Sequence, residues 1–362
     1  MTTYIERMMA SPQGGIPRPS AAAPHAHHPA DLLAAGADAL AAAFGIETRT
    51  PHPLAADLDT APLSRLAYAA GLAIRPQQSY ENDRAVMARG MQSADYAGLL
   101  AAASMTLVNR RFDAAAEHLA FCAVIECRDF KPLETAATGV DLELPEVREL
   151  GEPISGYVAF GAGNTAQLKT YSRILRIARN LIINDQAGMI ADTVAQLGAA
   201  AARTEARELY AVLESNPTMD DGELVFHADH GNIVASALDV TSLGTAMAAL
   251  RTMTLTGGNA ADLPAAHLVV AADLELAARK LVHEAGLQIT VTASSRLPSG
   301  RWYLLPSPEV APAVGVLRLR ARTTRPAMVE AWRGEAFDGV LLKPRVDTGA
   351  VLVARTLIRG GA

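Results

Sequence analysis

The chain has 362 residues, half of them apolar, with a formal net charge of −6 and two cysteines. Such a chain can bury one large core or two ordinary ones. The mild negative charge argues against a protein that binds nucleic acid tightly through a basic surface. Two cysteines are too few for a disulfide framework. The low cysteine count makes a reducing cytoplasm the expected compartment. We identify neither a signal peptide nor the roughly 18 uninterrupted apolar residues of a membrane span, so we expect no membrane partner.

Residues 1–75 are rich in Pro, Ser, Gly and Ala, which predicts a flexible or scaffold-like segment containing two weak helices. Leu32, Leu33, Leu40 and Phe44 form a helical stripe in this segment, and a stripe on such a weak helix is expected to need a partner. We expect the rest of the chain to stay stable without these residues. A further helix is predicted at about residues 93–119.

An extended hairpin is predicted between two strands, residues 120–130 and residues 167–178. The intervening residues 131–165 are rich in Pro, Gly and Glu and lack a strong helical period, and a loop of this length is unusual in a compact domain unless it has a function. Cys122 and Cys127 would point to opposite faces of the first strand, which argues against a bond or a metal clip between them.

The longest predicted helix begins at Asn184–Asp185, two good N-cap residues, and ends before Asn216–Pro217. Small residues at 198–202 would let another backbone approach it closely. At 1.5 Å per residue the helix would be a rod of roughly 45 Å. An α/β region follows, and the chain closes with two predicted antiparallel strands, residues 339–345 and 350–358, joined by a turn at 346–349. The fold class is therefore α+β.

Two histidines and an aspartate, His227, Asp229 and His230, could be metal ligands, since these residue types hold hydrolytic metals. The other histidines offer little support, because His118, His267 and His283 occur singly. The same segment suits a tight turn whose side chains bond local backbone groups. We favour a structural turn made by Phe226, His227, Asp229, His230, Gly231 and Asn232, with a metal-dependent hydrolase as the alternative.

The segment LVFHADHGN at residues 224–232 closely resembles part of the tailed-phage major capsid proteins of the Mu-type major head subunit group, which are often fused to a prohead protease. Residues 171–185, 208–217, 337–340 and 346–350 are similar to further family segments and come in the family's order. The region before residue 90 is too short for a serine protease and contains no nucleophile motif.

The resemblance implies the Hong Kong 97 type capsid fold. Its parts would be a flexible or scaffold-like segment (1–75), an N-terminal arm and lead-in helix (76–128), an extended hairpin or E-loop (129–180), the spine helix of a peripheral domain (181–221), an axial domain (222–320) and return strands of the peripheral domain (321–362).

The implied function is that of a structural shell subunit, with no catalytic residue, no cofactor and no metal. It would assemble with itself as hexamers and pentamers into an icosahedral virion capsid in the host cytoplasm, around double-stranded DNA that it contacts non-specifically. A portal, a prohead protease and decoration proteins are further partners of such shells. A nanocompartment shell of the same fold is a second alternative.

Contacts between subunits are expected at the hairpin. Apolar side chains of the hairpin would lie over a neighbour, and acidic ones would pair with arginines near its base, Arg173, Arg176 and Arg179. In a strand, Arg173 and Arg179 would lie on one face and Arg176 on the other. The candidate hairpin residues are Leu142, Glu143, Leu144, Glu146, Val147 and Glu149.

Overall fold

The computed structural model describes residues 29–46, 50–53, 55, 66–67, 70, 89–90, 94–134, 165–184, 187–219, 222–254, 260–320, 326–333 and 339–361. Helices and strands are both present in these residues, which confirms the α+β class. The chain divides into two compact units. The first consists of Met1–Ala115, Tyr171–Ala202 and Ala327–Val346, and the second of Ala116–Thr170, Arg203–Pro326 and Asp347–Ala362. None of the described helices is long and apolar enough to cross a membrane.

The described helices are α1 (Pro29–Ala43), α2 (Ala94–Ala115), α3 (Arg179–Ile183), α4 (Ala187–Ser215), α5 (Val240–Thr252) and α6 (Glu275–Glu284). Single 3-10 turns occur at Glu117–Ala120, Ala228–His230 and Ala272–Leu274.

The described strands are β1 (Ala123–Cys127), β2 (Leu133–Glu134), β3 (Thr165–Ala166), β4 (Lys169–Ser172), β5 (Leu175–Ala178), β6 (Ile233–Val234), β7 (Ala265–Ala271), β8 (Thr290–Ser294), β9 (Trp302–Pro306), β10 (Val314–Leu319), β11 (Ala327–Arg333), β12 (Gly339–Leu352) and β13 (Ile358–Gly360).

In the first unit, helices pack on strands that share the first half of β12. β11 pairs with it antiparallel from Ala327↔Val346 to Arg333↔Val340, and β5 pairs antiparallel on its other side. The helix α2 lies against β11, and α1 lies against α2. The core that these elements enclose includes Leu40, Phe44, Leu66, Tyr96, Leu100, Val108, Ile182, Val194, Val329 and Leu342.

Residues 29–46 differ from the sequence-based expectation of a weakly packed appendage. Leu40 is fully buried and Phe44 is 5% exposed, both in the same core as residues of α2. Leu66 is also fully buried, and a Cβ added to Gly36 would lie 2.9 Å from its Cδ1. The apolar stripe of α1 therefore finds its partner within its own chain. The predicted boundary at residue 75 lies outside the described residues.

Helices α2 and α4 meet at Gly198. A Cβ at this position would collide with the backbone carbonyl of Val108. The close approach of another backbone, predicted from the small residues at 198–202, thus occurs at the glycine itself.

The second unit contains a sheet in which β10 is flanked by β1 and by the second half of β12. β1 pairs with β10 in parallel, from Ala123↔Gly315 to Cys127↔Leu319. β10 pairs with β12 antiparallel, from Val314↔Leu352 to Arg318↔Thr348. One face of these strands packs with the C-terminal half of α4, around Leu209, Leu213 and Val316.

A five-stranded sheet with the order β6-β13-β9-β7-β8 completes this unit. Helices α5 and α6 contribute Leu250, Ala278 and Val282 to its core. The helix α5 begins where Asp239 and Ser242 form a capping box, in which each side chain accepts from the other residue's backbone N–H.

Local signals explain the end of α4 but not its beginning. Asn216 has φ of 45° and Pro217 cannot continue a helix, so α4 ends at Ser215 as predicted. At the other end, Asn184 is the C-cap of the short helix α3 instead of an N-cap, and α4 begins at Ala187.

Two predicted features of the strands are wrong. The single strand predicted at residues 167–178 is divided into β4 and β5 and is followed by α3. The two closing strands predicted on either side of 346–349 are one strand, β12, of 14 residues. Residues 347–349 form no turn because they lie buried against partners on other elements.

Candidate functional site

The base of the predicted hairpin, here called the hairpin root, is formed by β2 and β3. They pair antiparallel, with Leu133 opposite Ala166 and Glu134 opposite Thr165. Outside this pair, the Gln167 side-chain amide donates to the Phe130 carbonyl over 2.8 Å. Residues 135–164 lie between the two strands and outside the described residues, as do the candidate contacts Leu142, Glu143, Leu144, Glu146, Val147 and Glu149.

The hairpin root is attached to the second unit by an apolar cluster. Ala166 and Leu168 are buried with Cys127, Leu317 and other side chains of the β1–β10–β12 sheet. Lys169 Nζ lies 3.3 Å from Glu208 Oε2 on α4, but the lysine is largely exposed, and such pairs contribute only about 0–1 kcal/mol. The apolar contacts therefore carry most of the attachment.

Three consecutive residues of β12, Asp347, Thr348 and Gly349, each make a different contact. The Thr170 hydroxyl donates to Asp347 Oδ1 over 2.7 Å. The Thr348 hydroxyl donates to Glu205 Oε2 on α4 over 3.1 Å. A Cβ added to Gly349 would lie 2.6 Å from the Gln167 carbonyl oxygen, so the bare backbone of Gly349 admits the strand that leaves the hairpin root.

Glu205 is the centre of a buried ion cluster that Arg318, His118 and Thr348 complete. Glu205 is fully buried, while Arg318 is 3% and His118 is 2% exposed. Arg318 donates two hydrogen bonds to the carboxylate, from Nε to Oε2 at 3.1 Å and from Nη2 to Oε1 at 2.6 Å. His118 Nε2 lies 2.9 Å from Oε1. With the Thr348 hydroxyl, four donors fill the acceptor positions of an ionised carboxylate.

This arrangement keeps Glu205 charged. Burial opposes the charge and by itself would raise the pKa, but hydrogen bonds from His118 and Arg318 and their charges outweigh it, so the pKa of Glu205 is lowered. The cluster also affects the neighbouring thiol: burial, then the charge of Glu205, raises the pKa of Cys122 to about 12. Cys122 and Cys127 are both free and buried.

The three arginines near the hairpin root do not share one environment. The side chains of Arg173 and Arg176 are exposed, and the Arg173 backbone N–H donates to the Pro344 carbonyl over 3.3 Å. Arg179 begins α3 and is partly buried, so the strand alternation predicted through Arg179 ends at Ala178. Their contacts with a neighbouring subunit stay a prediction.

The segment 226–232 contains a 3-10 turn, Ala228–His230. His227 Nδ1 accepts from the Asp229 N–H over 3.4 Å, and Gly231 ends the turn with φ of 63°. The Asn232 amide donates to the Val225 carbonyl over 2.7 Å, and His230 Nδ1 lies 3.0 Å from the same oxygen. The Phe226 ring packs 5.6 Å from that of Tyr303. Within the described part of the chain, no group of three His, Cys, Asp or Glu side chains is placed to hold a metal ion.

The buried ion cluster was not predicted, although the sequence contains a signal for it. Glu205 falls on the apolar stripe of α4, three residues after Ala202 and four before Leu209, where an unpaired charge would be costly. Arg318 likewise interrupts an apolar strand. Charged residues in both apolar patterns indicate a buried pair.

A family model described as phage capsid protein matches residues 163–359 of this chain. The match spans more than half of the chain, from just before β3 to β13. The chain therefore belongs to the phage capsid protein family, which confirms the resemblance to capsid proteins. Its role is that of a major capsid protein, a structural component of the phage shell.

No curated protein is significantly similar to the chain in sequence. Among solved structures, the capsid of cyanophage P-SCSP1u is similar with a TM-score of 0.45 and 12% identity over 68% of this chain and 88% of that one. A phage-related protein from Bordetella bronchiseptica RB50 has a TM-score of 0.47 and 13% identity over 71% and 96%. The procapsid of bacteriophage JBD30 has a TM-score of 0.41 and 15% identity over 72% and 74%. The family membership rests on the sequence match.

Proposed function

We propose that this capsid protein assembles with itself, as hexamers and pentamers, into an icosahedral shell that encloses double-stranded phage DNA. The observation that carries the proposal is the antiparallel pairing of β2 with β3. This pairing places Glu134 and Thr165, the residues on either side of 135–164, opposite each other, as expected for the base of an E-loop of the Hong Kong 97 type. Heterologous contacts between such subunits close into rings when the rotation between neighbours permits.

The hairpin would act as a strap over the neighbouring subunit. Leu142, Leu144 and Val147 would be buried there, and the acidic residues Glu143, Glu146 and Glu149 would pair with Arg173, Arg176 and Arg179 of a neighbour. Each exposed pair contributes only about 0–1 kcal/mol, so their effect would come from repetition in every subunit of the lattice. The exposure of Arg173 and Arg176 supports this role, because both are accessible to a second chain.

The shell would face its DNA without reading sequence. The net charge of −6 leaves no general basic surplus, so phosphate contacts would be few, weak and sensitive to salt. Assembly would take place in the host cytoplasm, with a portal, a prohead protease and decoration proteins as further partners. We place the chain in the Mu-type major head subunit group on the resemblance of residues 224–232, and we assign it no enzymatic activity.

The proposal is tested by light scattering and electron microscopy of the purified protein. We expect rings or closed shells of megadalton mass. A species of about 38 kDa under all salt conditions would contradict the proposal, and shells filled with protein cargo in place of DNA would indicate a nanocompartment.

A hairpin variant makes the same test specific. Residues 135–164 are replaced by Asn-Gly, a two-residue turn that joins paired strands such as Glu134 and Thr165 without disturbing them. We expect this variant to melt like the native protein and to form no closed shells. Normal shells from it would show that the hairpin is not the strap.

A further inference from the structure

The hairpin root meets the body of the second unit at Asp347, Thr348 and Gly349, here called the β12 triplet. Thr170 and the backbone of Gln167 approach it from the strand that leaves the root. Glu205 approaches it from α4. Arg318 lies beside it as the β10 partner of Thr348. Elements far apart in sequence therefore converge on three adjacent residues.

The triplet allows only one register of its neighbours. Successive residues of a strand face opposite sides of a sheet. A slip of β12 by one residue would therefore move Thr348 away from the Glu205 carboxylate. The same slip would also replace Gly349 with a residue that has a Cβ. A Cβ at this position would lie 2.6 Å from the Gln167 carbonyl oxygen, which is too close for a side chain. The polar contact and the steric contact thus exclude the same slip.

Apolar contacts alone would not give this precision. The cluster of Ala166 and Leu168 with Leu317 and Val351 holds the hairpin root on the sheet, but apolar packing is non-directional. The saturated carboxylate of Glu205, by contrast, has directional bonds to Arg318, His118 and Thr348. Buried polar groups that fix register are a known use of such costly interactions.

We propose that the β12 triplet is a registration point that fixes where and in which direction the extended hairpin leaves the subunit. This inference rests on the proposed function, because the direction of the hairpin matters only if it reaches a neighbour. In the proposed shell, a small displacement at the root would be enlarged along an extended hairpin, and every subunit would have to present that hairpin in the same way. Asp347, Thr348 and Gly349 act as positioning residues for assembly.

The test uses full-length variants. Gly349→Ala adds a Cβ against the Gln167 carbonyl, and Thr348→Val removes the hydroxyl donor while keeping the shape. Thr348→Ser restores the donor. The matched control is Gly244→Ala on α5, in the same unit, where an added Cβ meets nothing within 4 Å. Thermal melting, hydrogen exchange at residues 165–172, and shell yield and diameter by electron microscopy are measured for each.

We expect Gly349→Ala and Thr348→Val to remain folded at the assembly temperature, to exchange faster at residues 165–172, and to give few closed shells or shells of mixed diameter. Thr348→Ser and Gly244→Ala should resemble the native protein in all three measurements. If Gly349→Ala fails to fold, the Thr348→Val and Thr348→Ser pair decides. Native exchange at residues 165–172 in Thr348→Val, or native shells from it, would overturn the registration point. If the native protein forms no shells, the proposed function fails, while the exchange measurement still decides the inference.

Discussion

At the scale of single residues, the buried carboxylate of Glu205 is the most consequential group in the described structure. Its hydrogen bonds compensate the cost of burying a charge. Arg318 depends on Glu205 in turn, because a guanidinium stays protonated even when it is buried. Removing one partner of a buried pair leaves the other uncompensated and costs about 3–5 kcal/mol.

We therefore predict that Glu205→Gln lowers the free energy of unfolding by about that amount, about 3–5 kcal/mol. The control Glu275→Gln, which breaks an exposed pair with Arg279, should change it by at most about 1 kcal/mol.

The pKa of Glu205 is lowered in the folded state, so its ionised form stabilises the fold above the unfolded pKa of about 4.3. This stability is lost as the pH falls through the lower folded pKa.

Thermal melts of the native protein and of Glu205→Gln between pH 3 and pH 7 measure what the ionised carboxylate contributes to stability. This range spans the ordinary glutamate pKa of about 4.3. The native protein should lose more stability on acidification than Glu205→Gln does. Parallel pH profiles would contradict a charged Glu205.

At the scale of elements, the crossing of α2 and α4 depends on one glycine. We predict that Gly198→Ala, which places a Cβ against the Val108 carbonyl, destabilises the protein by about 1–3 kcal/mol because the helices must move apart. The control on the same helix is Gly188→Ala, where an added Cβ has open space; it should be neutral or slightly stabilising, since glycine is unfavourable in helices. Denaturant unfolding of the two variants makes the comparison, and equal stabilities would argue against the close crossing.

Elements with local signals were predictable and those defined by distant partners were not. The end of α4 follows from Asn216 and Pro217, which act on their own segment. The β12 triplet has the composition of a turn, and only its contacts with Thr170, Glu205 and Gln167 explain why it continues a strand. The buried ion cluster was missed for the same reason, since its members are 87 or more residues from Glu205.

At the scale of the whole molecule, residues 29–46 contribute to the core of the first unit. We predict that a chain beginning at Pro76 melts at a clearly lower temperature than the full chain, because the side chains around Tyr96 and Leu100 lose the cover of Leu40, Phe44 and Leu66. The single variant Leu40→Ala should cost about 2–5 kcal/mol. Ala42→Ser, at an exposed position of α1, is its control. An unchanged melt for Leu40→Ala would restore the view of this segment as an appendage.

The two cysteines have a consequence for the life of the particle outside its host. If the shell assembles in the host cytoplasm as proposed, on release it would leave a reducing environment and meet oxygen with no enzyme to repair it. Thiol oxidation proceeds through the thiolate, and burial raises the pKa of both Cys122 and Cys127, that of Cys122 to about 12. At neutral pH almost no thiolate forms at Cys122, and neither sulfur is readily reached from solvent. We therefore expect both thiols to stay reduced in an oxidising environment, so that storage of the particle would not require a reductant.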